Sequence, residues 1–129
     1  MSTLKADTIV ASDGSSPVTL TKQFAAKMWA DIDMTGTATL DESGNVASIT
    51  DNGTGDVTTS FTSSMSDANY ACSGMTTANA AFDDEGLVHL NYTGGRAAGN
   101  CRFGVTDAHN AADVYDFDPV MVIIHGDLA

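Results

Sequence analysis

The chain of 129 residues is long enough for one domain and too short for two full hydrophobic cores. Seventeen acidic residues against five lysines and arginines give a formal net charge of -12, which excludes nucleic acid as the expected partner because phosphates would be repelled. No apolar run is long enough to span a bilayer, and the opening MSTLKADTIV lacks the basic start and apolar stretch of a secretion signal, so we expect a soluble protein that is not secreted.

The first 28 residues differ in charge from the rest of the chain. Residues 1–28 carry a net charge of +1, whereas residues 29–129 carry -13. Apolar residues in the first part are too sparse to bury the surface that would offset its ordering entropy. We therefore predict an attachment arm over 1–28, which docks on a partner protein or on copies of the chain, and a body domain over 29–129. The arm residues expected to make that contact are Leu4, Ile9, Val18 and Leu20.

The end of the arm, LTKQFAAKMW, has helical spacing. Leu20, Phe24 and Met28 recur every four residues, with good helix formers between them. This pattern predicts one short helix that ends where the body begins at Trp29.

From Ala30 onward the apolar residues alternate with polar ones. The runs ADIDM and TATLDE flank a Thr35-Gly36 turn, and SITDNGTGDVTTSF has turn formers between two alternating runs, which is typical of a hairpin. Further strands are predicted over 69–74, 86–92, 100–106 and 119–125. Regular short strands with polar turns predict an all-β fold, an antiparallel and jelly-roll-like β-sandwich.

The last predicted strand, PVMVII, is apolar on both faces. Such a strand is either central in a sandwich or half buried against another subunit. Because aromatic residues make up only 7% of the chain and a small core has little else to fill two layers, we favour the subunit contact. The predicted oligomer interface is formed by Val120, Val122 and Ile124.

Part of the stretch DIDMTGTATLDE matches the calcium-binding EF-hand loop. Asp31, Asp33, Thr35 and Glu42 fall at ligand positions of that pattern. An EF-hand needs a helix on each side, and the downstream SGNVASITDNG is too rich in glycine and β-branched residues to form one. Two strands with carboxylates on the solvent face are therefore the favoured interpretation, calcium is the alternative, and no cofactor is predicted.

The histidines and cysteines show no metal-site spacing. His89, His109 and His125 form neither HxH nor HExxH, and would gather as ligands only if one of them lay on the axis of a trimer. Cys72 and Cys101 are too few for a disulfide framework and form no CxxC. We predict that they are small core residues, with a single bridge between neighbouring strands as the alternative.

Two acidic stretches carry enough carboxylates to be candidate chemical sites. The turn chemistry of DNGTGD explains each of its residues, and Asp83, Asp84 and Glu85 are paired carboxylates with no nucleophile, oxyanion donor or substrate clamp nearby in sequence. An exposed loop is the favoured interpretation of the second stretch. Because GxSxG, P-loop and dinucleotide patterns are also missing from the sequence, we predict that the protein is not an enzyme.

Two stretches resemble fibre proteins of tailed bacteriophages. They are LTKQFAAKMW and SITDNGTGDVTTSFTSSMSDANY, and the likeness runs over residues 1–74 with its strongest part at 49–70. The resemblance implies a virion structural protein, a homotrimeric fibre whose arm docks on other virion proteins and whose acidic body projects outward. It also implies assembly in the bacterial cytoplasm, without membrane insertion.

The task that the resemblance implies is adhesion to the host surface or its glycans by loops at the distal end. The contacts expected there are Tyr92, Arg96 and Tyr115, because rings stack on sugars and a guanidinium pairs with carboxylates. One alternative is a head fibre or capsid decoration protein that stabilises the shell. A less favoured one is a polysaccharide depolymerase acting through residues 83–85, since such enzymes usually need a long solenoid or a deep cleft.

Overall fold

A computed structural model describes residues 25–79, 84–91, 93–108, 113–127 and 129. Within these ranges the chain forms ten β-strands and no helix. The strands are β1 (Met28–Asp33), β2 (Thr39–Gly44), β3 (Val46–Gly53), β4 (Asp56–Phe61), β5 (Ala71–Thr76), β6 (Ala78–Asn79), β7 (Asp84–Leu90), β8 (Arg96–Ala97), β9 (Asn100–Asp107) and β10 (Val120–His125).

The strands form two antiparallel sheets, which confirms the all-β sandwich. Sheet 1 has the order β2-β1-β10-β5, and sheet 2 has the order β3-β4-β9-β7-β6 with β8 added beside β9. The turn predicted at Gly36 joins β1 to β2, and Gly53 and Gly55 adopt positive φ between β3 and β4 as the hairpin pattern requires. The pairs β1–β2 and β3–β4 are each hairpins within one sheet.

The hydrophobic core lies between the two sheets. In β1, β4 and β10 buried side chains alternate with exposed or half-buried ones, so each strand gives one face to the core. Burying a side chain of valine to phenylalanine size contributes about 1.5–3 kcal/mol, so this layer supplies the main stabilisation. The buried apolar residues are Met28, Ala30, Ile32, Met34, Val57, Phe61, Met65, Tyr70, Cys101, Phe103, Val105, Phe117, Val120, Val122 and Ile124.

A single residue, Asn45, connects β2 of sheet 1 to β3 of sheet 2. Its φ is 61°, in the left-handed region that asparagine tolerates better than most residues. Its Nδ2 donates to the carbonyl oxygens of Lys27 and Ser63, both at 3.0 Å, and its Oδ1 accepts from the Ser63 amide at 2.7 Å. Asn45 therefore ties the start of β1 to the loop that follows β4.

The stretch 49–70 forms part of the scaffold of the sandwich. Residues 49–61 build the β3–β4 hairpin, and the following loop closes the core with the buried side chains of Met65 and Tyr70. The Tyr70 hydroxyl lies 3.1 Å from the Ala97 carbonyl oxygen and 2.8 Å from that of Asn100, and so holds the loop to sheet 2. Residues 49–70 thus serve the fold.

The predicted helix at residues 20–29 is wrong in the part that the structure describes. Residues 25–27 are not helical, and Met28 and Trp29 begin β1. Met28 is buried and pairs with Ile124 of β10, so tertiary pairing outweighs the local helix preference. The rest of that helix and the arm residues Leu4, Ile9, Val18 and Leu20 lie outside the described residues.

The predicted interface at Val120, Val122 and Ile124 is also wrong. All three side chains are buried in the chain's own core, and β10 is central in sheet 1 between β1 and β5. The apolar bulk on the other face of β10 comes from Met121 and Ile123, which are exposed. The strand therefore follows the first of the two interpretations, a central strand of the sandwich.

Candidate assembly surface

The outer face of sheet 1 carries an exposed apolar patch, called here the sheet 1 patch. It consists of Trp29, Met75, Met121 and Ile123, which are 42, 63, 37 and 37% exposed. Trp29 pairs with Ile123 across β1 and β10, and Met121 pairs with Met75 across β10 and β5, so the four side chains are neighbours on three adjacent strands. Apolar side chains gathered in this way on a sheet face are typical of an interaction site.

The position of Trp29 depends on a glycine in the edge strand. Trp29, the only tryptophan of the chain, pairs with Gly44, and a Cβ at Gly44 would clash with the indole Nε1. The ring therefore packs against the bare backbone of β2. This contact holds the largest apolar side chain of the patch in place.

A carboxylate with an unmet hydrogen bond borders the patch. Asp31 pairs with Met121 on one side and with Glu42 on the other, so it lies between the apolar residues and a second acid. The Oδ1 atom of Asp31 is buried and has no hydrogen-bond partner among the described residues. A buried carboxylate oxygen without a donor is costly, and a cation placed beside the Asp31 carboxylate at the border of the patch would offset part of that cost.

More acids gather at the other end of β1. Asp118 has a pKa raised above its ordinary value, first because hydration is lost and then because Asp33, Asp41 and Asp31 repel its charged form. This end of sheet 1 is therefore strongly negative at neutral pH. A cationic partner group would relieve that repulsion.

The residues of the calcium-loop pattern form a hairpin turn. The Asp33 Oδ1 accepts from the Thr35 hydroxyl at 2.5 Å and from the Thr35 amide at 2.7 Å, and these bonds lower the pKa of Asp33. Asp31 and Glu42 lie on the paired strands β1 and β2. Among the described residues no group of three or more histidine, cysteine or acidic side chains is placed to hold a metal ion.

The outer face of sheet 2 is polar along β3, β4 and β9. Arg102 donates from Nε to Asp56 Oδ1 at 2.8 Å and from Nη2 to Asp56 Oδ2 at 2.6 Å, and this pairing raises the pKa of the guanidinium. Asn91 donates to Asp56 at 3.0 Å, and Asn52 donates to Thr58 at 2.8 Å. On β7 the same sheet exposes Leu87, so the contrast in chemistry with sheet 1 applies along β3, β4 and β9.

The predicted receptor contacts do not form one cluster in the described structure. The Arg96 Nη1 donates to the Tyr70 carbonyl oxygen at 2.7 Å, and the guanidinium lies 5.9 Å from the centroid of the Tyr70 ring. Tyr115 packs edge-on against Phe117, with ring centroids 6.3 Å apart. Both side chains are thus engaged within the fold, and Tyr92 lies outside the described residues.

The histidines and the acidic stretch 83–85 are separated by the fold. His89 on β7 and His125 on β10 are exposed and belong to different sheets, while His109 lies outside the described residues. Residue 83 also lies outside them, and residues 84 and 85 begin β7 where a loop was expected.

Both cysteines are free thiols that pack on the core. Cys101 is buried, which raises its pKa to about 12, and the pKa of the half-buried Cys72 is raised for the same reason. They lie on β9 and β5 in different sheets, so they do not form a bridge between neighbouring strands. This confirms the interpretation as small core residues.

The patch residues Met75, Met121 and Ile123 were not among the predicted sites. The signal for two of them was present in PVMVII, whose apolar residues occupy both faces of one strand. The choice of face was wrong because alternation within an entirely apolar run does not show which side faces the core.

The chain has no match among family models, curated proteins or solved structures. In the part of the chain that the structure describes, no helix is long and apolar enough to cross a membrane. The clues to function are therefore the sequence pattern and the two outer faces of the sandwich.

Proposed function

We propose that the chain is a non-enzymatic structural protein of a tailed-bacteriophage virion. In this proposal it is a homotrimeric fibre whose N-terminal arm docks on the particle and whose acidic sandwich projects outward. The resemblance of residues 1–74 to phage fibre proteins supports the class of protein, and the fold supports the proposed arrangement of copies.

The observation that carries the proposal is the contrast between the two outer faces. The sheet 1 patch exposes four large apolar side chains, whereas β3, β4 and β9 expose hydroxyl, amide and charged groups. Around a threefold axis the patches turn inward and the polar faces turn to the medium. Burying apolar surface favours that association, and the net charge of -12 keeps the exterior hydrated.

Adhesion to host glycans is the proposed task of the exterior. The amides of Asn52 and Asn91 and the hydroxyl of Thr58 lie on one face beside the Asp56–Arg102 pair. Amide, hydroxyl and carboxylate groups are the partners that sugar hydroxyls need for hydrogen bonding. A surface of this kind suits weak and repeated contacts, which a trimer multiplies.

Localisation on the particle tests the proposal. An antibody against the body domain, imaged by cryo-electron microscopy on purified phage, is expected to mark fibres at the tail. Density over the shell would support a decoration protein instead. Absence of the protein from purified particles would contradict a virion role altogether.

A further inference from the structure

We propose that residues 18–24 of a neighbouring copy lie extended across the sheet 1 patch, so that the arms hold the oligomer together. This inference rests on the proposed function, because it needs an oligomer. It leaves the first part of the arm, with Leu4 and Ile9, free for the particle.

The segment VTLTKQF has the pattern of a strand with one apolar side. In an extended chain Val18, Leu20 and Phe24 point to the same side, with Lys22 among them, and the intervening residues point away. That side matches a surface of mixed apolar and acidic character. The sheet 1 patch is such a surface, because its apolar side chains are bordered by Asp31.

Charge complementarity supports a basic segment of the arm at this surface, and the arm carries Lys5 and Lys22. The buried Oδ1 of Asp31 lacks a donor among the described residues. Both arginines already have partners, since Arg102 pairs with Asp56 and Arg96 donates to Tyr70. The ammonium of Lys22, carried in the apolar side of the segment, can pair with the half-buried carboxylate of Asp31 at the border of the patch.

The position and length of the arm allow the contact. Residue 24 directly precedes the described chain, and the Lys27 amide donates to the Ile124 carbonyl oxygen at 2.8 Å, at the end of β10 next to the patch. Residues 18–24 extend at most about 24 Å from residue 25, so the copy whose patch they cover has to lie directly beside the copy that supplies them.

The need for a contact between copies favours a neighbour's arm over the chain's own arm. The patch holds four of the seven large apolar side chains that are exposed in the described part of the chain. If each copy covered its own patch, the copies would lose their main apolar contact surface. Exchange of arms instead gives a head-to-tail contact that closes into a ring.

Disulfide trapping tests the contact directly. Leu20→Cys and Met121→Cys are combined in the full chain, with Cys72→Ala and Cys101→Ala to remove the native thiols. Under mild oxidation we expect covalent multimers on a non-reducing gel that are lost on reduction. The matched control combines Leu20→Cys with Thr58→Cys, on the outer face of sheet 2, and is expected to give none.

The other outcomes overturn the inference. A link within one chain would show that the arm covers its own patch, and no link above the control would show that residue 20 does not reach the patch. Light scattering on the parent protein separates the two proposals. If the mass is that of three chains but no disulfide link forms, only the arm contact is refuted. If the mass is that of one chain, the oligomer and the proposed fibre are both refuted.

Trp29 fluorescence gives a second readout that does not need engineered cysteines. With the arm seated on the patch, Leu20→Ser is expected to shift the Trp29 emission to the red and to increase its quenching by acrylamide. Thr21→Ser, on the other side of the extended segment, is the control and is expected to leave both unchanged. Equal spectra for the two variants and the parent would overturn the inference.

Discussion

Replacement of Asn45 by alanine should destabilise the sandwich far more than its half-buried position suggests. Asn45 is the single residue between β2 and β3, where the chain passes from one sheet to the other. Its side chain makes three hydrogen bonds to Lys27 and Ser63, and its backbone holds a φ of 61°. Asn45→Ala loses the three hydrogen bonds and leaves an alanine in a left-handed conformation that strains its backbone.

The expected cost follows from these two contributions. The left-handed conformation costs an ordinary residue about 1–2 kcal/mol. Each lost hydrogen bond contributes about 0.5–1.5 kcal/mol, with the lower value for the bonds that water can replace. We therefore expect Asn45→Ala to reduce the free energy of unfolding by about 2–4 kcal/mol.

Urea unfolding followed by Trp29 fluorescence measures this cost, because the chain has only one tryptophan. Asn45→Gly loses the same bonds without the backbone strain, and should be less destabilising than Asn45→Ala by about 0.5–1 kcal/mol. Asn52→Ala is the matched control, because the Asn52 side chain makes only exposed hydrogen bonds. It should change the free energy of unfolding by no more than about 0.5 kcal/mol. Equal losses for Asn45→Ala and Asn52→Ala would refute the reasoning.

Three further predictions concern the core and the acidic end of sheet 1. Tyr70→Phe removes the hydroxyl that holds its loop to sheet 2 and should cost about 1–2 kcal/mol in urea unfolding, and an unchanged midpoint would contradict that role. Because the pKa of Asp118 is raised in the folded state, its charge opposes folding above that pKa. Asp118→Asn should therefore raise the melting temperature at pH 7, by an amount that shrinks as the pH falls towards 3.8, whereas a pH-independent change would argue against the repulsion by Asp33 and its neighbours. Burial and a pKa of about 12 should keep Cys101 unlabelled by a maleimide at pH 7 until the protein is unfolded, while Cys72 reacts slowly, and rapid labelling of both in the native protein would contradict the buried position.

Most of the strands could be predicted because one face of each is polar. In β4 the residues Val57, Thr59 and Phe61 face the core and alternate with polar residues, so period and turn chemistry agree. The short strands β6 and β8 were missed, because two residues carry no periodic pattern.

The errors occurred where local patterns compete with tertiary pairing. Met28 fits helical spacing with Phe24, but its place opposite Ile124 in sheet 1 is decided by residues almost a hundred positions away. In β10 the apolar residues occupy both faces, so only the structure shows that Val122 is inside and Met121 outside. The role of Asn45 follows from its φ, which a sequence indicates only weakly through the Gly44-Asn45 pair.

The mass of the full chain in solution tests most directly the claim that the sheet 1 patch holds copies together. Light scattering at micromolar concentration is predicted to give the mass of three chains, and Met121→Ser with Ile123→Ser is predicted to reduce it to that of one folded chain. Ser48→Lys on β3 of sheet 2 should leave the trimer intact. A mass of one chain for the unaltered protein would contradict the account.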